Sequence, residues 1–158
     1  MDTRSATVGN RRVEGAPVPD PRPATERRLH AVPVATTAVG GFFLAMSGIN
    51  AGLAIADATR YRGFADAGLF AFVRDGWTDI VMAHPQVWVA LLAAGEALMG
   101  ASLLAGGRFA EVGWVAVLVF HVLLMLFGFG VWTYALPALA FFGWLARRDW
   151  RWLRVSSP

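Results

Sequence analysis

The chain contains no cysteine and no lysine, and charged side chains make up only 16% of its 158 residues. The absence of cysteine excludes disulfides, thiolate metal sites, iron–sulfur ligation and a thiol nucleophile in this chain. Soluble domains carry about 25% charged residues. Here 10 of the 25 charged side chains lie in residues 1–28, which leaves 15 for the other 130 residues. This distribution predicts a membrane protein rather than an ordinary soluble domain.

All 14 basic residues are arginine, and the net charge is +3. Because the arginines lie next to apolar stretches, anionic lipid headgroups suit this positive charge better than nucleic acid does. Residues 1–28 have four prolines at alternate positions, from Pro17 to Pro23, and few large apolar side chains. They predict a disordered cytoplasmic tail.

Residues 29–150 predict an all-α, integral membrane four-helix bundle. The first span covers about 31–56, where 26 residues carry no charge, and the second covers about 85–106. Residues 112–146 form an uncharged stretch of 35 residues. One straight helix of that length would measure ~52 Å, too long for a hydrocarbon core of ~30 Å. Gly128 and Gly130 therefore predict a break between a third span, about 112–128, and a fourth, about 131–147.

The polar connection over residues 57–84 separates the first two spans. Its larger apolar residues recur at helical spacing, with most charged residues opposite them. It predicts a short amphipathic segment that either lies in the membrane interface or caps the mouth of the bundle.

The arginine distribution predicts the orientation of the bundle. Four spans place both ends of the chain on one side, and that side holds 11 arginines against three on the other. The positive-inside bias therefore predicts a cell-membrane protein whose N-terminal tail and C-terminal end, residues 151–158, are both cytoplasmic.

Small residues predict where the helices pack most closely. Gly48 and Gly52 form a GxxxG step in the first span, which allows a second helix to approach. In the second span, alanine recurs at every fourth position from Ala93 to Ala105 and predicts a packing seam.

Glu96 is the most informative single residue. It lies near the middle of the second span, where an ionised side chain costs on the order of 2.5–3.5 kcal/mol. Residues of this kind usually face the bundle interior and have a partner. Glu96 is therefore a candidate for a ligand or proton site, although a protonated packing residue with a hydrogen bond would fit the same pattern.

His121 is the predicted partner of Glu96. The two residues lie 12 and 13 positions from Arg108, on opposite sides of the predicted turn, so an antiparallel hairpin places them at one depth. Such a pair can share a proton, bind a polar headgroup or simply hold two helices together. Asn50, near the outer end of the first span, is expected to bond another helix or line a mouth. The remaining histidines, His30 and His84, fall at opposite membrane faces, so no metal site is predicted.

Residues from about Thr37 to Arg147 resemble the DoxX-like family of small four-helix membrane proteins. The matching segments are GGFFLAMSGIN in the first span, YRGFADAGL after it and LLAAGEALMGASLLAGGRFAEVG around the second turn. Asn50 lies where the family often has a basic residue. By this resemblance Glu96 corresponds to the family's intramembrane acid.

The resemblance implies association with membrane redox systems. Some members are subunits of quinone-reducing sulfur oxidoreductases, and others resemble scaffolds for oxidative-stress enzymes. The resulting hypothesis is a non-autonomous membrane subunit of an oxidoreductase, with a quinone or proton site at mid-membrane and redox enzymes as protein partners. The alternatives are a non-catalytic anchor for soluble partners and a small-molecule or proton carrier.

Overall fold

A computed structural model of the protein describes residues 32–155, with side chains described as far as residue 150. The predicted tail over residues 1–28 lies outside the described residues. Within this range the helices are α1 (Val34–Ala56), α2 (Gly63–Ala67), α3 (Ala71–Gly76), α4 (Pro85–Ala105), α5 (Gly107–Leu124) and α6 (Phe129–Val155).

Four of these helices, α1, α4, α5 and α6, are long and apolar enough to cross a membrane. Their most apolar windows have mean hydropathies from 1.4 to 1.8. Each also turns large apolar side chains outward, among them Ile55, Leu98, Val119 and Phe141. Apolar surfaces of this extent are stable in contact with lipid, whereas their exposure to water would be unfavourable. The predicted all-α membrane bundle with four spans is therefore confirmed.

The turns between the last three spans differ from their predicted positions. α5 follows α4 almost directly, because Gly106 and Gly107 reverse the chain with φ angles of 74° and 52°. Such angles cost glycine little, whereas other residues rarely adopt them. Arg108 and Glu111 consequently lie in the first turns of α5 rather than in a loop. The α5–α6 break covers residues 125–128, slightly before the predicted glycine cluster.

The closest helix contact joins α1 and α4 at Gly40 and Gly100. A Cβ atom on Gly100 would lie 2.7 Å from the Gly40 carbonyl oxygen, so the two backbones nearly touch. Gly48 and Gly52 make no such contact within this chain, because both residues are exposed and a Cβ on either would meet no atom within 4 Å. Rotation of α1 about its axis turns the GxxxG step toward lipid.

The predicted alanine seam of α4 lies only partly in the interior. Ala93 is buried, whereas Ala101 and Ala105 are exposed. The buried face of α4 instead combines large and small residues: Val89, Ala93, Glu96, Met99, Gly100 and Leu103. We call the half of the bundle nearest the start of α1 the terminal side. Large side chains from all four membrane helices fill this half.

The helices pack in the order α1, α4, α5, α6, and α1 makes few contacts with α6. A hydrogen bond on the terminal side joins these two helices, where the Thr36 hydroxyl donates to Asp149 Oδ2 over 2.7 Å. Asp149 is only 2% exposed, and Arg148 donates to its other oxygen over 3.0 Å. The hydrogen bond between Thr36 and Asp149 therefore joins α1 and α6 at one end of the bundle, although the two helices make few contacts overall.

Residues 57–84 form a cap over the opposite end of the bundle, the cap side. The segment is not one helix, because a 3₁₀ turn (Ala58–Arg62) precedes α2 and a π turn (Trp77–Val81) follows α3. Leu69 N–H donates to Leu126 O over 2.8 Å, and Gly128 N–H donates to Ala67 O. These bonds attach the cap to the α5–α6 turn and interrupt the amphipathic segment between α2 and α3.

Candidate functional site

Three polar side chains form a connected chain beneath the cap. Asn50 Nδ2 donates to Glu96 Oε2 over 2.6 Å, and the Tyr61 hydroxyl donates to Asn50 Oδ1. Glu96 and Asn50 are each only 4% exposed. The chain Tyr61–Asn50–Glu96 therefore links the cap, α1 and α4, and we call it the polar chain.

Local folding explains how the polar chain comes together. Asn50 and Glu96 occupy the facing sides of α1 and α4, which pack along much of their length. Tyr61 belongs to the 3₁₀ turn that follows α1 and directs its hydroxyl back toward Asn50. A buried carboxyl group without a hydrogen-bond donor is costly, and the amide of Asn50 supplies that donor.

Tyr61 is held in its neutral form. Burial raises the pKa of the Tyr61 phenol above its ordinary value, and negative charge at Glu96 raises it further. The hydroxyl therefore keeps its proton and remains a donor to Asn50 at every physiological pH. The Trp77 indole fixes the same residue by donating to the Tyr61 carbonyl oxygen over 2.8 Å.

His121 is not the hydrogen-bond partner of Glu96. Between residues 32 and 155, no hydrogen bond or ion pair joins the two side chains, and the donor that Glu96 meets is Asn50. His121 Nδ1 instead lies 2.8 Å from the carbonyl oxygen of Val117, one turn earlier in α5. Their spacing from Arg108 predicts that the two residues lie at a common depth. Spacing does not determine the rotation of each helix about its axis, and the two side chains have different hydrogen-bond partners.

One cavity nevertheless contains Glu96, His121 and Asn50 in its walls. Its volume is about 480 Å³, within the usual range for small-molecule sites. It lies between the four membrane helices, and the cap closes one end. The three sequence candidates therefore line a single cavity, with Glu96 and Asn50 bonded to each other and His121 bonded to its own helix.

Aromatic side chains make up much of the cavity wall. Four of them stack or meet edge-to-face on the cap side: Tyr61, Phe64, Trp77 and Phe127. Sequence reasoning placed Tyr61 and Phe64 on an apolar stripe but did not assign them to the site. The tyrosine hydroxyl within that stripe was the available signal, since a phenol on an apolar face usually has a polar partner.

The cavity wall reaches the outer surface of the bundle at both α1 and α6. Phe42 of α1 and Tyr134 of α6 both line it, and they are 52% and 50% exposed. These two helices make few contacts with each other. The same two side chains therefore line the cavity and lie on the outer surface of the bundle.

A wider depression of about 1080 Å³ lies elsewhere, along the lipid face of α5 and α6 near Trp144 and Arg147. It is a surface groove without buried polar groups. The cavity beneath the cap, which has the buried residues Glu96, Asn50 and His121 in its walls, is therefore the better candidate for specific binding.

The cavity suits an amphipathic organic ligand. Within the described residues, no group of three histidine, aspartate or glutamate side chains comes together as a metal site. Aromatic walls provide stacking surfaces, and Glu96 and His121 provide polar contacts.

Comparison with known proteins adds no identity. The chain matches no family model, no curated protein and no solved structure.

Proposed function

We propose that this integral membrane protein is a DoxX-like, non-autonomous subunit of an oxidoreductase system and that it binds a quinone in the cavity beneath the cap. The observation that carries the proposal is one cavity, between four apolar helices, that combines aromatic walls with Glu96 and His121. The chain has no cysteine and thus no thiolate redox centre of its own. A partner protein would exchange electrons with the ligand.

The cavity residues fit the parts of a quinone. Its flat ring suits the aromatic walls, one of its oxygens can accept a hydrogen bond from protonated Glu96, and its apolar tail can extend past Phe42 and Tyr134 into lipid. A bound quinone supplies two-electron, two-proton carrier chemistry. Glu96 Oε1 can hold a proton beside it, because Asn50 engages only Oε2. The apolar walls and the cap keep bulk water away from that proton.

The resemblance to DoxX-like proteins supports the same proposal. It is carried by the glycine-rich first span, by YRGFADAGL in the cap and by the Glu96 segment. In this structure those three segments surround one cavity. An anchor or scaffold would not need a lined intramembrane cavity, which is why we favour the quinone-binding subunit.

Ligand binding by the purified full-length chain tests the proposal. We expect a short-tail benzoquinone to bind in mild detergent and Glu96→Gln to fold normally but lose most of that binding. Asp79→Asn is the matched control, because Asp79 is an exposed acid of the cap. If Glu96→Gln binds quinone as well as the unaltered chain does, the acid is structural. In that case Glu96→Leu is expected to preserve or even increase stability.

Co-purification tests the assignment as a subunit. Extraction of the chain in a gentle detergent should recover a redox enzyme together with bound quinone. Recovery of soluble partners without quinone would favour the anchor, and substrate flux across proteoliposomes containing only this chain would favour the carrier.

Cysteine labelling tests the proposed orientation in the cell membrane. Because the chain has no cysteine, single introduced cysteines report unambiguously. Gly63→Cys, in the exposed part of the cap, should react with an impermeant maleimide in intact cells, whereas Ser156→Cys should not. The reverse pattern would place both termini outside.

A further inference from the structure

We propose that the cavity distinguishes the redox states of its ligand and binds a hydroquinone, which carries hydroxyl groups, more tightly than the corresponding quinone. The group that distinguishes them is Nε2 of His121, acting as a hydrogen-bond acceptor. This inference rests on the proposed quinone site and adds the form of the ligand that the site prefers.

The hydrogen bond to Val117 fixes which nitrogen of His121 carries the proton. A carbonyl oxygen only accepts hydrogen bonds, so Nδ1, which lies 2.8 Å from Val117 O, must be the donor. In a neutral imidazole the other nitrogen is then unprotonated. Nε2 therefore presents a lone pair.

The surroundings of His121 keep its ring neutral and fixed in orientation. Phe43, Phe120 and Phe142 meet the ring edge-to-face, with centroid separations of 6.3, 5.5 and 4.9 Å. No carboxylate is bonded to the ring in the described part of the chain. An imidazolium among phenyl rings would lose its hydration, and the ring's hydrogen-bond partner, Val117 O, carries no charge to offset that loss.

Nε2 of His121 is accessible from the cavity. Among residues whose side chains are described, the only sealed side-chain nitrogen or oxygen without a hydrogen-bond partner is Trp114 Nε1. Nε2 has no partner in the same range, so it is not sealed. Because His121 lines the cavity and its Nδ1 is engaged by Val117, Nε2 is the ring nitrogen left for a ligand in that cavity.

Glu96 does not provide this selectivity. Its Oε1 oxygen accepts a ligand hydroxyl when the acid is ionised and donates to a ligand carbonyl when the acid is protonated. Either redox state of the ligand can therefore bond to Glu96. The preference for hydroquinone over quinone therefore comes from His121, whose tautomer is fixed by the hydrogen bond to Val117.

The chemistry at Nε2 favours a hydroxyl. A hydroquinone O–H donates a hydrogen bond to the lone pair of Nε2. A quinone carbonyl oxygen is itself an acceptor, so neither it nor Nε2 gains a hydrogen bond when the two meet. Binding sites that lose such a hydrogen bond reject the analogue strongly, since the buried polar group stays unsatisfied. We expect the hydroquinone to bind about tenfold more tightly, the ratio that one buried hydrogen bond supplies.

The test compares four ligands on the full-length protein in detergent under anaerobic conditions. They are a decyl-substituted benzoquinone, its hydroquinone, the dimethyl ether of that hydroquinone and a decyl-substituted phenol. Dissociation constants come from calorimetry. The hydroquinone should bind about tenfold more tightly than the quinone and the ether, and the phenol should also bind more tightly than the ether.

Substitution assigns the preference to one residue. His121→Phe removes the acceptor and should reduce the hydroquinone-to-quinone ratio to about one while both ligands still bind. His84→Phe makes the same change at an exposed histidine outside the cavity and should preserve the ratio. Should His121→Phe fail to fold, ¹⁵N spectra of the unaltered protein give the same information. Hydroquinone, but not quinone, should then shift the unprotonated Nε2 resonance of His121.

The outcomes separate this inference from the proposed function. If quinone and hydroquinone bind equally, or quinone binds more tightly, the redox preference is wrong and the quinone site stands. If neither binds but the phenol does, the quinone function is wrong and hydroxyl recognition stands. If none of the four ligands binds, both proposals are wrong.

Discussion

Asn50 in the first membrane helix donates its side-chain amide hydrogen to Glu96 in the second, over 2.6 Å. Both residues are almost fully buried, so the bond joins the two helices in the interior of the bundle. Glu96 thus has a hydrogen-bond partner in the neighbouring helix α1. Tyr61, which bonds to Asn50, extends the polar chain to the cap.

We expect Asn50→Leu to destabilise the protein, because it removes the donor to Glu96. The loss should be about 1 kcal/mol, in line with interhelical hydrogen bonds in membranes and with the cost of an unsatisfied buried group. Denaturation in detergent measures it. A double-mutant cycle with Glu96→Leu provides the control, since Asn50→Leu should cost much less once the acid is gone. An equal cost in both backgrounds would contradict the coupling.

We expect Gly100→Ala to separate α1 from α4. The added methyl group would lie 2.7 Å from the Gly40 carbonyl oxygen, and backbone cannot move aside as a flexible side chain does. Overpacking of this kind costs about 1–3 kcal/mol. Gly95→Ala in the same helix is the control, because its methyl group meets no atom within 4 Å. Thermal unfolding should show a lower midpoint for Gly100→Ala only, and equal midpoints would contradict the close approach.

We expect Thr36→Val to weaken the terminal side of the α1–α6 seam. The substitution keeps the side-chain shape but removes the hydroxyl that donates to the buried Asp149. Loss of a hydrogen bond to a buried carboxylate costs about 1.5–3 kcal/mol. Thr36→Ser retains the hydroxyl and should lose less stability. If both variants unfold at the same point, the hydroxyl does not contribute.

We expect the Tyr61 phenol to ionise only above its ordinary pKa. The chain has two tyrosines, so the Tyr134→Phe variant leaves Tyr61 as the sole phenol for ultraviolet titration. Burial, the larger cause, should keep the midpoint raised, and Glu96→Gln should lower it partly by removing negative charge. A midpoint at or below the ordinary value would mean that the cap leaves Tyr61 in water.

Sequence was sufficient to predict the class of this fold. The long uncharged stretches, the shortage of charge after residue 28 and the excess length of residues 112–146 predict four apolar helices. Hydrophobic length and composition decide whether a segment crosses the bilayer, and both are local properties of the chain. The same local reasoning identified Glu96, because a carboxyl group is costly at mid-membrane whatever its neighbours are.

Tertiary structure alone decided which residues meet. Sequence arithmetic placed Glu96 and His121 at one depth, yet their hydrogen-bond partners are Asn50 and Val117. Likewise, Gly100 rather than Gly48 makes the close contact with a neighbouring helix. The reason is physical: spacing along a helix fixes depth, but rotation about the helix axis is set by the packing of all neighbouring helices together. Lipid tails are as apolar as the interior of the bundle, so an apolar side chain is stable on either face of a membrane helix. The hydrophobic pattern therefore cannot fix the rotation of the helix.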